Sequence, residues 1–138
     1  MTLWYFPRMQ RECGCSAHSR FRGNRGQSKM VSYFVRYCGS SRDLEAFQSH
    51  YETRHAAILK SFPNIRSLVL HRPAAWTDPF SVRRGESLLL AQMKFDGPAD
   101  LDAALQSEAR KAARDDFHRF PPFEGEVTHE AMSGKVIF

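Results

Sequence analysis

Apolar positions along this chain switch between a period of two and a period near 3.6 residues, and the switches predict six elements in the order β-α-β-β-α-β. Val31–Cys38 is rich in aromatic and β-branched residues and reads as a strand. Gly39-Ser40-Ser41 breaks it, and Ser40 can cap a helix with Asp43 three residues on. That helix runs to about Phe62 and is stopped by Pro63-Asn64. Ile65–Arg72 is the second strand. Pro73 opens a loop of about 14 residues that ends at Glu86 and carries Trp76, Phe80, Arg83 and Arg84. Leu88–Phe95 is the third strand, closed by Asp96-Gly97-Pro98. A second helix places Leu101, Ala104, Leu105, Ala109, Ala112, Ala113, Phe117 and Phe120 at helical spacing, and Pro121-Pro122 ends it. The last strand is about Glu126–Met132, with Lys135–Phe138 as a candidate resumption.

This order predicts an α+β fold, a four-stranded antiparallel sheet with two helices on one face. The other face would then be bare, yet Leu88-Leu89-Leu90-Ala91-Gln92-Met93 is apolar on both faces, as is much of Val31–Cys38. A strand wetted on one side should alternate. The expected cover is a second copy of the chain, packed sheet to sheet as a homodimer; Leu3–Phe6 is a smaller candidate.

Charge divides the chain in two. Residues 1–29 hold Arg8, Arg11, Arg20, Arg22, Arg25 and Lys29 against Glu12, whereas residues 30–138 hold 14 cations and 14 anions. The net +5 therefore belongs to the first segment, and the body is neutral, which argues against a nucleic-acid partner for it. Residues 1–29 lack sustained periodicity and read as a disordered basic extension, a targeting peptide, or a stretch upstream of a true start at Met30. The expected domain is residues 30–138. No apolar run approaches the 18 or so residues of a membrane helix. Cys13, Cys15 and Cys38 form neither a disulfide framework nor a C-x-x-C site, so a reducing, cytoplasmic setting is expected.

The chemistry-bearing segment is Phe47-Gln-Ser-His50-Tyr51-Glu-Thr-Arg-His55. At about 100° per residue, Leu44, Tyr51, His55, Ile58 and Phe62 fall within an arc of about 60°. His55 therefore sits amid an apolar stripe, where a polar ring needs a partner. An imidazole there is either a satisfied core residue or a proton-transfer group, since its ordinary pKa of about 6.5 leaves it neutral and basic at pH 7. Tyr51, one turn earlier, could orient the ring or donate to a substrate oxygen. His50 falls on the helix flank about 140° from His55, a poor chelating pair. His71, on the strand face shared with Ser67 and Val69, could reach a pocket or the dimer interface. Trp76 and Phe80 could close a pocket as a lid. His118 and His129 have no distinguishing context, and Asp115-Asp116 reads as a solvated pair opposing the helix dipole. No H-E-x-x-H, convergent Cys/His set or phosphate-binding glycine pattern occurs, so neither a metal nor a cofactor is expected.

The element order, the string Phe47-x-x-x-Tyr51-x-x-x-His55 and the following Pro63-x-Ile65 resemble the EthD family of dimeric α+β barrel (ferredoxin-like) proteins. Phe95-Asp96, Leu105-x-Ser107 and Asp116-x-x-x-Phe120 resemble its second half, and the likeness covers roughly Met30–Phe138. His50-Tyr51 stands where the family usually has an aromatic pair. The resemblance implies a pocket between helices and sheet in each subunit. It implies activities such as metal-free monooxygenation, lactone isomerisation, and polyketide cyclisation or decarboxylation. His55 matches the family's helix histidine, and Asp116 its acidic position, with an Arg as a possible partner.

Three functions are weighed. The first is a small enzyme acting on a hydrophobic or aromatic carbonyl compound, with His55 and Tyr51 as catalytic residues. Phe47, His71, Trp76 and Phe80 would then line the substrate pocket. The second is a non-catalytic carrier of an apolar ligand, or an interaction module, on the same fold. The third is nucleic-acid binding through the basic segment, with a salt-dependent affinity as its mark.

Overall fold

The computed structural model describes residues 29–138. The readings of residues 1–28, including the basic extension and the Leu3–Phe6 cover, lie outside the described residues. The chain forms β1 (Val31–Ser41), α1 (Leu44–His50), a π-helical turn (Tyr51–His55), α2 (Ala56–Lys60), β2 (Ser67–His71), β3 (Ser87–Phe95), α3 (Pro98–Leu105), α4 (Glu108–Phe117) and β4 (Phe123–Ser133). The strands make one antiparallel sheet in the order β2-β3-β1-β4. This is the expected α+β, ferredoxin-like arrangement, with the helices packed on one face.

The strand alternation sorts side chains onto the two faces. Val31, Tyr33, Val35 and Tyr37 on β1, with Leu89, Ala91, Met93 and Phe95 on β3, are buried beneath the helices. Tyr33 pairs with Met93 and Val35 with Ala91, so the two central strands present one continuous apolar floor. Phe47, Tyr51, Leu59 and Phe62 on the first helical segment, and Leu101, Ala104 and Ala113 on the second, close over that floor. The opposite face is less apolar than the Leu88–Met93 run suggested. Phe34, Leu88 and Leu90 are half-buried there, and Val69 and Met132 are exposed, but Ser32, Arg36, Gln92 and Lys94 interrupt them.

Several boundaries differ from the sequence pattern. Gly39 does not end β1, because it pairs with Gly125 across the sheet, with φ of 144° and 151°. A Cβ on Gly39 would lie 2.1 Å from the Glu124 carbonyl oxygen, so the two glycines permit a close approach that other residues would block. Asp43, not Ser40, caps the first helix, its carboxylate accepting from the Ala46 N–H at 2.9 Å. The second helix is two, split at Gln106-Ser107. Ser107 caps α4 by accepting from the Arg110 N–H, a local bond that competes with helix continuation. Leu44, counted on the buried stripe, is exposed because it opens the helix before the sheet is reached.

Candidate functional site

The π turn is the local feature that builds the site. An α-helix places residues five apart about 140° away from each other, but an i→i+5 bonded turn brings residue i+5 back over residue i. Within Tyr51–His55 the Ala56 N–H bonds to the Tyr51 carbonyl, the i→i+5 pattern. His50 and His55, also five apart, consequently face the same way. His50 is therefore not the flank residue that α-helical geometry implies.

Both histidines meet one carboxylate. His55 Nδ1 lies 2.9 Å and His50 Nε2 3.0 Å from the same oxygen, Oδ2, of Asp116 on α4. A carboxylate only accepts, so each nitrogen carries its proton and donates. His55 is thereby held as the Nδ1–H tautomer, and its Nε2 has no hydrogen-bond partner among the described residues. Asp116 is buried, which corrects the reading of a solvated pair, and its partners are the two histidines instead of an arginine. Phe120 packs edge-on to both imidazoles, with ring centroids 4.7 Å from His50 and 4.8 Å from His55, and shields the group from water.

Burial and hydrogen bonding set the protonation states. Burial disfavours a charged His55 and lowers its pKa below the ordinary 6.5; the Asp116 bond and charge work against this, and His50 and Arg110 add to the lowering. Burial pushes the Asp116 carboxyl up, but hydrogen bonds from His55 and His50 outweigh it and hold the group below 3.8. At neutral pH the site is thus an ionised Asp116 and a neutral His55. Tyr51 packs on His55 with ring centroids 4.7 Å apart, and burial raises its hydroxyl pKa well above 10.0. Burial likewise pushes the Tyr37 hydroxyl up to about 12.

His55 and Tyr51 line a cavity of about 340 Å³ between the sheet and α4, within the range of small-molecule sites. Val35, Leu59, Met93 and Val127 form its apolar wall, while Arg110, Arg114, His118 and His129 contribute from α4, its C-terminal end and β4. His129 Nδ1 is 2.8 Å from the Tyr33 hydroxyl. Of the residues expected at the pocket, Tyr51 and His55 are brought together there. Phe47 is fully buried behind them, packed against Tyr37 and Phe120. His71 and Trp76 border a separate cleft with Arg36, Arg72 and Leu90, and His71 bonds to Gln92 at 3.1 Å. They lie there because β2 is an edge strand whose Ser67, Val69 and His71 face away from the helices. Phe80 is exposed in the same long loop, where Arg84 stacks on Trp76 at 4.2 Å. Pattern reasoning passed over Arg110, Arg114, His118 and His129 as pocket residues. The five-residue spacing of His50 and His55 was the available signal for the histidine pair, once a π turn is allowed.

Among the described residues no group of three or more His, Cys, Asp or Glu side chains is placed to hold a metal ion, and no helix is long and apolar enough to cross a membrane.

A βαββαβ sheet carrying a buried His-Asp-His group over an apolar cavity defines a small ferredoxin-like protein of the EthD type. The EthD domain matches residues 40–121, more than half of the sequence, and the chain belongs to the EthD family. Among solved structures, an EthD family protein from Bacillus halodurans is 22% identical, with a TM-score of 0.61 over 77% of this chain and 99% of that one. An EthD-like protein from Ralstonia eutropha is 14% identical, with a TM-score of 0.56 over 76% and 92%. SnoaB, a cofactor-independent oxygenase from Streptomyces nogalater, is 13% identical, with a TM-score of 0.54 over 78% and 95%. These likenesses show a shared fold. No curated protein sequence matches the chain.

Proposed function

We propose that the protein is a small enzyme that moves a proton on a hydrophobic or aromatic carbonyl compound, with His55 as the general base and acid. The observation that carries this is the tautomer lock: Asp116 accepts the Nδ1–H of His55, which leaves an unprotonated Nε2 on a ring that lines the cavity. In the reaction Nε2 takes a proton from a carbon next to the carbonyl, an enolate forms, and the ionised Asp116 stabilises the resulting imidazolium. The apolar wall keeps water from the base. Tyr51 fixes the ring by packing and presents a neutral hydroxyl to the same space. An enolate is a common intermediate for isomerisation, cyclisation and reaction with dioxygen. The likeness in fold to SnoaB, a cofactor-independent oxygenase, favours the oxidoreductase branch, without a bound cofactor.

The working form we propose is a cytoplasmic homodimer joined through the outer sheet faces, where Phe34, Leu90, Val69 and Met132 lie. Light scattering of the purified protein should give twice the chain mass; a monomer at micromolar concentration would remove the dimer.

The catalytic reading is tested with 2-tetralone, an enolisable bicyclic ketone, by following deuterium uptake from solvent by NMR. The wild type should exchange its acidic carbon protons well above the rate in buffer, and His55→Ala should not. Equal exchange by both proteins would remove the role of His55. Binding of the ketone without accelerated exchange would instead favour the ligand-carrier reading.

A further inference from the structure

The cavity wall has a charge pattern that proton transfer by His55 does not use. Arg110 and Arg114 stand one turn apart on α4, and both line the cavity with His55, His118 and His129. No Asp or Glu lines it. Among the described residues neither arginine has an ion-pair partner. Asp116, the buried acid beneath the site, spends its Oδ2 on the two histidines. Two like charges at i and i+4 repel along a helix, and an anion bound between the half-buried Arg110 and the exposed Arg114 would relieve that repulsion.

Arg110 occupies the centre of this arrangement. It is half-buried, and its charge acts on Tyr33, Tyr37, Tyr51, His55 and His129 around the cavity. The Tyr33 hydroxyl in turn lies 2.8 Å from His129 Nδ1, within hydrogen-bond distance. A guanidinium has five N–H donors in a planar fork, which match a planar oxyanion.

We propose that the cavity selects ring compounds bearing an oxyanion, either a carboxylate or an acidic phenolate, held by Arg110 with Arg114 beside it, while the rings lie on the Val35–Met93 side near His55. The proposal deepens the reading of this cavity as the substrate site and rests on it. It identifies Arg110 as a specificity-determining residue, separate from the His55–Asp116 pair.

The test uses three bicyclic probes of similar size: 2-naphthoate, the acidic phenolate 2,4-dinitro-1-naphtholate, and neutral 2-naphthamide. Calorimetry on the full chain should show the anions binding at least about tenfold more tightly than the amide, with affinity falling as salt rises. Arg110→Gln should erase the preference, and Arg110→Lys should restore part of it. A carboxylate-only or phenolate-only preference that depends on Arg110 supports the proposal and identifies the anion. Equal affinity for all three probes, or a preference that survives Arg110→Gln, would overturn the oxyanion assignment while leaving the cavity as a ligand site. Failure of the wild type to bind any probe would overturn both.

Discussion

Asp116→Asn separates what the shared carboxylate does for the fold from what it does for His55. The variant keeps the size of the side chain and an accepting oxygen but removes the charge. Two hydrogen bonds, one buried at 2.9 Å and one half-buried at 3.0 Å, then change from charge-assisted to neutral. A bond to a charged acceptor is worth about 1.5–3 kcal/mol and a neutral one about 0.5–1.5 kcal/mol, so the expected loss is about 2–3 kcal/mol for the pair. Neither histidine is left with an unpaired charge, which keeps the loss in that range and not higher. For a domain of this size, 1 kcal/mol shifts Tm by about 4–8 °C, so circular dichroism should show a fall of roughly 10 °C or more. The new amide can also donate to Nδ1, which would move the imidazole proton to Nε2 and remove the base. Tetralone exchange should then drop by about 10²- to 10⁴-fold, more than the loss of stability explains. A Tm within about 2 °C of the wild type together with undiminished exchange would refute the reasoning that Asp116 both anchors and orients His55.

Stability should be dome-shaped in pH. His55 and His129 have pKa values lowered below 6.5, so the unfolded chain binds protons that the fold refuses, and stability should decline as pH falls below that value. Asp116, lowered below 3.8, adds a second loss as pH falls further. Tyr37, raised to about 12, should make stability fall again between pH 10.0 and about 12, which urea unfolding across pH can follow. Gly39→Ala should cost about 2 kcal/mol or more, read from the same unfolding curves, because its Cβ would meet the Glu124 carbonyl at 2.1 Å in a strand that cannot move apart. Deleting Thr53 should close the π turn to an α turn and set His50 and His55 four apart, on one helix face and still within reach of Asp116. Helical signal and exchange should both persist, and loss of exchange would show that the pair depends on the wide turn itself and not only on sharing a face.

The element order, the sheet and the place of His55 on a buried stripe were legible because they follow from hydrophobic period and from Gly and Pro punctuation. The site itself was only half legible. Tyr51 and His55 could be paired by an α-helical count, but the same count put His50 on the wrong side, since one turn follows a different period. Asp116 looked solvated because a carboxylate near the end of a helix opposes its dipole, and its burial depends on Phe120 and two histidines from a distant segment. Arg110 on α4 and His129 on β4 meet at the cavity only in the folded chain, a juxtaposition that no local pattern encodes. The loop with Trp76 and Phe80 carried the marks of a lid, yet it leaves an edge strand on the far side of the sheet.

The claim on which the account turns is the tautomer and charge of His55, and long-range ¹⁵N–¹H NMR of the imidazole rings across pH measures it directly. The spectrum should show His55 neutral at pH 7, with its proton on Nδ1, an acceptor Nε2, and a titration below the ordinary 6.5. A proton on Nε2, or an imidazolium at pH 7, would contradict it.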